Sequence, residues 1–524
     1  MTLRTALTEG AQTFPDRQWI SCDEHTWSYA DGDRITDRLA QGLAAAGIRR
    51  GDRVALLFGN GPEIVFSYYA CFKIGAIAVP LNIRFAPPEL AYALGHCGAK
   101  LLLGQEELCR AVMPFMPQLP HLEAVHVVGD ILGGAGGFEA LFADGEDEPA
   151  VLPAVEDSHI AVLLYTSGTT AKPKGVIHTH AGLVQMVENF YDAIGKDMLA
   201  RSVVSMPMYH MGGFSFVVCV TQAGASMWTL RCFDPERVLQ LLQQSRATLS
   251  SGLPLQVKML VDHPKAAEFD LGGLESYLCG GDYVQADLQA RFLALFGAPL
   301  DEICGMTEVY YTIQPVVRGD RKPGTIGKPY GDVRIALLNP DGEAVREGEV
   351  GEFVVRSASM SPGYWNDPVS TAATIRDGWL WTGDLGRRDA DGFYRFEGRS
   401  KDVIIRGGSN ISPGEVEDVL IAHPAVAEVG VVGAPDPDLG QVVQAYVALW
   451  PGAQVTEPEL LAWAGERIAA YKVPERVVVM DILPKGLTGK IDRKALRERA
   501  AQERGPASAD AAAGTSPAVA ASCA

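Results

Sequence analysis

The densest chemistry in the chain lies in one short run, Tyr165-Thr-Ser-Gly-Thr-Thr-Ala-Lys-Pro-Lys-Gly175. Gly168 allows backbone N–H groups to turn toward an anion. Thr166, Ser167, Thr169 and Thr170 offer hydroxyl donors, and Lys172 and Lys174 add charge. That combination suits phosphate. It is not a Walker A loop, because Gly-Lys-[Ser/Thr] is absent. By composition alone a solvated Ser/Thr/Gly turn is the better fit. Just beyond it, His178 and His180 have the look of a metal pair. With no carboxylate or third ligand nearby, metal binding there is not expected.

Such a loop needs a frame. The apolar run 159–165 predicts a strand leading directly into it. Upstream, Ile35, Leu39 and Leu43 recur at helical spacing after Asp31, read as an N-cap. Residues 53–58 read as a buried strand, Asn60-Gly61 as a turn, 66–75 as a helix and 76–81 as a strand again. This rhythm predicts α/β layers with parallel strands. The glycine-rich stretch 129–137 lacks a complete dinucleotide fingerprint, so no cofactor role is assigned to it. Asp391-Gly392 reads as a hairpin turn. Residues 398–402 are short and polar and suit a linker. Beyond them, helix and strand patterns describe a small α+β domain. From Ala501 the chain is rich in Ala, Ser and Pro, and disorder is expected there.

Composition sets the outer limits. The 524 residues are 47% apolar and 21% charged, the balance of a globular protein. A formal net charge of −19 argues against broad nucleic-acid binding. It also requires any nucleotide site to be locally basic or built from backbone N–H groups. Nine scattered cysteines without a Cys-x-x-Cys pair fit reduced thiols in a cytoplasmic enzyme better than disulfides or zinc. The N-terminus lacks a signal-like apolar core, and the apolar stretches break before 18 residues, at Lys73, Pro80 and Gln222.

Residues 165–175 resemble the signature loop of the AMP-forming adenylating superfamily, which includes acyl-CoA synthetases, adenylation domains of peptide synthetases and luciferases. Companion segments follow in family order: MPMYHMGG (206–213), GGD (280–282), CGMTE (304–308), GYW (363–365), WTGD (381–384), GFYRFEGRSKD (392–402), RGGSNISPGEVE (406–417), YKVP (471–474) and PKGLTGKIDR (484–493). The resemblance covers roughly residues 10–500. It implies an α/β fold with a large N-terminal domain of layered sheets and helices (1–397), a hinge (398–402), a smaller mobile α+β domain (403–500) and a tail (501–524).

It also implies a reaction in two halves: a carboxylate attacks ATP to give acyl-AMP and pyrophosphate, then a thiol takes the acyl group and AMP leaves. Lys490 matches the catalytic lysine, whose charge would serve the α-phosphate and the attacking carboxylate. Glu308 matches the Mg2+ ligand, and Thr307 would contact the α-phosphate. The nucleotide would lie on Thr166, Ser167, Gly168, Thr169, Thr170 and Lys174, and on Gly280, Gly281, Asp282, Cys304, Gly305 and Met306. Asp384 would accept both ribose hydroxyls, assisted by Arg399. Lys401 falls at the hinge position. Gly407 and Gly408 would border the pantetheine channel. Tyr209, His210, Gly212, Gly213, Phe214 and Val309 would serve the acyl pocket, with the two glycines either opening room or permitting close packing.

Three departures stand out: Ala171 where glycine is usual, Cys304 where an aromatic ring usually meets adenine, and Asp282 where Glu or Ala is common. The leading expectation is a carboxylate–CoA ligase using ATP, Mg2+ and CoA on an aliphatic or aryl acid, with homo-oligomerisation left open. The alternative is a free-standing enzyme that loads an acid onto a carrier protein. A nucleotide-binding scaffold without ligase chemistry is the third reading.

Overall fold

The run Arg53–Leu57 sits in the middle of a seven-stranded sheet in the computed structural model of the chain. The structure describes residues 3–130, 133–142, 154–166, 172–281, 284, 286–314, 321–407, 409–486 and 490–504. The strand order is Gly136–Gly137, Ala124–Val128, Leu101–Gln105, Arg53–Leu57, Ile77–Pro80, Ile160–Thr166 and Lys174–Thr179. All neighbours run parallel except the last pair, which is antiparallel. The expected strand before the loop is therefore Ile160–Thr166, and Thr166 pairs with Lys174.

A second sheet has eight strands in the order Val309–Ile313, Leu300–Met306, Ser276–Gly280, Leu249–Gly252, Arg201–Val204, Ser226–Thr229, Gln18–Cys22 and His25–Ser28. Its interior pairs are parallel and both end pairs antiparallel. One apolar core draws on strands of both sheets and on the helices Pro62–Ile74 and Met211–Gln222. Both helices are apolar around nearly their whole circumference, the pattern of a helix with no solvent face. Lys73 is 1% exposed within this layer. Its ammonium is 2.6 Å from carboxylate oxygens of both Asp33 and Asp37, which offsets the cost of its burial.

One local expectation is corrected. The helix Tyr29–Ala45 starts at Ser28, and Asp31 is its third residue, not its N-cap. Ser28 Oγ accepts from the Asp31 N–H while the Asp31 carboxylate accepts from the Ser28 N–H, a capping box worth about 1 kcal/mol.

The chain divides into two units: Met1–Glu349, Phe353–Thr382 and Arg388–Arg395, and Val350–Glu352, Gly383–Arg387 and Phe396–Ala524. The strands Trp379–Arg388 and Tyr394–Arg399 hold residues of both. Between them Gly392 takes φ +82° at the expected hairpin turn, and Asp389 Oδ1 accepts from the Asp391 and Phe393 N–H groups. Gly398 and Arg399, expected in a linker, finish the second of these strands because their backbone is still in the ladder.

The smaller unit is α+β. Strand Gly440–Leu449 pairs with Ile404–Arg406, with Val426–Asp436 and, in parallel, with Arg476–Met480. Helices Pro413–Ile421 and Glu457–Gly465 contribute to one apolar core and helix Arg493–Glu503 to another. That last helix enters the segment expected to be disordered, because Leu496 and Ala500 are fully buried and carry the turn that follows them. Residues 505–524 lie outside the described residues.

Candidate active site

The strand Lys174–Thr179 organises several of the predicted site residues in the larger unit. Of the predicted loop, Thr166 and Lys174 are described as the pair that closes it; Ser167, Gly168, Thr169, Thr170 and Ala171 lie outside the described residues. Lys174 Nζ donates to Ser370 Oγ at 2.7 Å and stands 5.1 Å from the centre of the Tyr364 ring. The outer edge of the strand is tied to 363–365: Ile177 N–H donates to Gly363 O at 3.0 Å and Trp365 N–H to Gly175 O at 2.8 Å. This pairing places Tyr364, whose hydroxyl donates to Glu308 Oε1 at 2.6 Å.

Thr307 and Glu308 form the two-residue connection between the antiparallel strands Leu300–Met306 and Val309–Ile313. The Glu308 side of this turn is buried, at 6% exposure. Ser361 N–H donates to Glu308 O, and His178 Nε2 lies 2.8 Å from Thr307 O. A carbonyl only accepts, so that nitrogen carries the proton. Burial pushes the His178 imidazole down to about 4, which leaves it neutral at pH 7. The Tyr364 phenol is pushed up, first by burial and then by the Glu308 charge, so it stays a donor.

The loop has a second support. Helix Pro87–Cys97 carries Tyr92 and His96, whose rings stack at 5.4 Å. His96 Nδ1 is 2.8 Å from the Tyr165 hydroxyl, and Lys172 Nζ stands 5.1 Å from the Tyr92 ring centre. One helix thus touches both stems of the phosphate-type loop. Burial lowers the His96 pKa.

The segment 206–214 is clamped from below. Asn60 Nδ2 donates to Met206 O at 2.9 Å, Met208 N–H donates to Asn60 Oδ1, and the Tyr68 hydroxyl donates to Met208 O. His210 precedes the helix Met211–Gln222, and its ring centre lies 4.7 Å from that of Tyr209. A Cβ on Gly213 would come within 2.4 Å of Pro207 O, so close backbone packing demands that glycine. A Cβ on Gly212 would meet only the flexible end of Met206. Phe214 is fully buried and its ring packs edge-on against Tyr68 at 5.0 Å. Val309 is buried and pairs with Met306.

Gly280 ends a buried strand and Gly281 follows it; Asp282 lies outside the described residues. Gly305 and Met306 complete the strand that leads to Thr307. Cys304, half-buried on the same strand, is opposite Thr312 with its Sγ 3.3 Å from the Tyr311 hydroxyl.

In the smaller unit, Arg399 Nε lies 3.0 Å from Asp384 Oδ1. The Asp384 carboxylate is 5% exposed and the guanidinium 42%, so a buried anion is presented behind a reachable cation. Asp402 and Val403 N–H groups donate to Arg399 O, and Asp402 is 2.6 Å from Arg497 of the last helix. Between them Lys401 has its pKa lowered, first by burial, with Arg399 and Arg497 contributing. Gly407 takes φ +53°, where an L side chain is strained, and its N–H donates to Leu439 O. Gly408 lies outside the described residues. Lys490 is exposed, and its carbonyl accepts from Gly486 N–H at 2.7 Å.

The described residues among those predicted thus divide between the two units. Sequence reasoning missed Tyr364, Ser361, Asn60, Tyr92 and His96. The GYW segment was visible, yet no local spacing ties a tyrosine to a glutamate 56 residues away.

Comparisons with known proteins identify the relatives of the whole chain. The model of the AMP-binding enzyme family matches residues 7–365, and that of the AMP-binding enzyme C-terminal domain matches residues 415–490. A feruloyl-CoA synthase of Amycolatopsis sp is 38% identical, covering 90% of this chain and 94% of that protein. A long-chain-fatty-acid–CoA ligase of Bacillus subtilis is 33% identical over 95% of this chain and 94% of its own. The solved structure of an anthranilate CoA ligase with anthranoyl-AMP superposes with a TM-score of 0.89 at 27% identity, covering 96% of this chain and 98% of that one. The chain belongs to the AMP-binding enzyme family.

Proposed function

We propose that the chain is an ATP-dependent carboxylate–CoA ligase that works through acyl-AMP on an apolar acid with an aryl or aliphatic tail. The observation that carries the nucleotide half is the Glu308 turn: a buried carboxylate beside Thr307, fixed from the strand that also bears Lys174. A hard carboxylate oxygen fits Mg2+, which commonly takes one or two protein carboxylates and leaves other positions to phosphate and water. Bound there, Mg2+ would neutralise phosphate charge.

In the first half-reaction a substrate carboxylate oxygen attacks the α-phosphorus. The bond to the bridging oxygen breaks and pyrophosphate leaves. Lys490 stabilises charge on the α-phosphate and the entering oxygen, Thr307 donates to the α-phosphate, and Asp384 with Arg399 holds the ribose. In the second, the CoA sulfur attacks the acyl carbon, the thiol proton goes to solvent, and AMP leaves. The small unit turns about Lys401 between the halves, and Gly407 and Gly408 pass the pantetheine arm. The aromatic ring of Tyr209 favours an apolar tail over a charged one. No helix among the described residues is long and apolar enough to cross a membrane. We place the enzyme in the cytoplasm on its scattered cysteines without a Cys-x-x-Cys pair, which suit a reducing compartment.

The test is a mass-spectrometric screen with ATP, Mg2+ and a panel of carboxylic acids, each with and without CoA. Acyl-CoA and AMP from one acid class establish the ligase and its substrate together. Acyl-AMP that accumulates and ignores CoA overturns the CoA acceptor in favour of a carrier protein.

A further inference from the structure

We propose that His178 is a positioning residue for Glu308, acting through the carbonyl of Thr307; the proposal rests on reading Glu308 as the carboxylate that faces the magnesium of bound ATP. Two peptide planes flank Glu308 in this connection and decide where its side chain goes. Rotating either one swings the Glu308 carboxylate. The plane between Thr307 and Glu308 is held by His178 Nε2 at 2.8 Å. The next plane is held by Ser361 N–H, which donates to Glu308 O at 2.8 Å. The carboxylate itself is held by Tyr364.

All three holds refer back to one strand. Ser361 and Tyr364 belong to a segment fixed on Lys174–Thr179 through Ile177 and Trp365. His178 is on that strand, four residues after Lys174 and therefore on the same face. Its side chain is wholly enclosed, with 1% exposure, so the donor has no water to turn to and no room to swing. The strand that closes the phosphate-type loop thus also sets the carboxylate. Lys174 and Glu308 become parts of one rigid frame, and His178 is its cross-brace.

The test uses the full-length protein and three variants. ATP binding is followed by equilibrium dialysis without acid, so that nothing turns over, across a range of free Mg2+. Acyl-AMP formation and thioester formation from supplied acyl-AMP are measured separately. His178→Leu keeps the bulk and loses the N–H. It is expected to raise the magnesium needed for half-maximal ATP binding about tenfold and to slow acyl-AMP formation to match, the size of one lost hydrogen bond. Thioester formation from acyl-AMP is expected to hold. His178→Gln, whose amide reaches about as far as Nε2, is expected to recover the magnesium dependence.

The proposal is overturned if His178→Leu leaves the magnesium dependence where it was. It is also overturned if His178→Gln fails as His178→Leu does, because bulk rather than the donor then matters. Glu308→Gln separates the two layers. If it shifts the magnesium dependence while His178→Leu does not, only the role of His178 falls. If Glu308→Gln shifts nothing, the reading of Glu308 falls and takes this proposal with it.

Discussion

Glu308 and Lys490 are the two charges on which the proposed first half-reaction turns, and the fold treats them in opposite ways. Glu308 is 6% exposed, on a short turn whose backbone and carboxylate are both held. Lys490 is exposed, and what is fixed is its backbone, through Gly486 and through the bridge between Lys485 and Ile491. The large unit builds its anion into the fold, where preorganisation costs nothing at the moment of reaction. In the proposed mechanism Lys490 is instead a long, exposed cation whose backbone alone is fixed. A built-in group should respond to subtle changes around it, and a delivered one only to its own removal or to the hinge.

The largest effect should therefore come from the delivered group itself. Lys490→Ala should slow acyl-AMP formation by about a thousandfold, the upper range for loss of one charge-stabilising donor. Thioester formation from supplied acyl-AMP should be spared. Equal loss in both halves would remove the contrast between the regions.

Next comes the hinge. Lys401 follows Ser400, whose N–H donates to Gly383 O, and it lies within a turn closed on Arg399 O. Lys401→Pro restricts that turn and the residue before it. It should cost the second half-reaction about a hundredfold, as misplacement of reacting groups does, with acyl-AMP formation much less affected. An unchanged ratio of the two rates would take Lys401 out of the hinge. Smaller again is Tyr364→Phe. It removes one hydroxyl from Glu308 and should slow acyl-AMP formation about tenfold. No change would mean that the turn alone positions the carboxylate.

The same contrast governs what was legible in the sequence. The strand before the loop was readable because 160–165 is an unbroken apolar run between polar neighbours. The helix Pro62–Ile74 was read for the same reason only over 66–75, one turn short at its start and one residue long at its end. The start of the helix at Ser28 was misread because Asp31 is itself a good cap. Only the spacing Ser-x-x-Asp, with reciprocal bonds, distinguishes the cap from its third residue. The charged candidates could be named from type and order alone, whereas the residues that hold them could not. Tyr364 and Asn60 reach partners 56 and about 147 residues away, through sheet pairings that no local pattern encodes.

His178 and His180 show this most sharply, and they carry the last prediction. Read along the chain they are an i, i+2 pair, which on a strand would share one face. The strand ends at Thr179, and His180 is the first residue of the helix that Thr179 caps, so the two rings part company. His178 braces Thr307, while His180 sits 1% exposed with its ring edge-on to Phe72 at 5.6 Å. Burial, then His159, pushes the His180 imidazole down to about 4 from an ordinary 6.5. Its folded pKa is thus below its unfolded one, so the unfolded chain binds the proton first. The stability it allows is complete above about pH 6.5 and falls as pH drops from there toward 4. At about 1.4 kcal/mol per pH unit, the loss across that window is about 3.5 kcal/mol at most. His180→Leu should remove this part of the acid sensitivity and leave both half-reactions at pH 7 as they were. Denaturant melts at pH 7 and pH 5 check it. If the variant loses as much stability as the parent over that range, His180 is not the group that titrates. If it slows acyl-AMP formation at pH 7, then the brace extends past His178 into the helix, and the boundary at Thr179 is not where positioning ends.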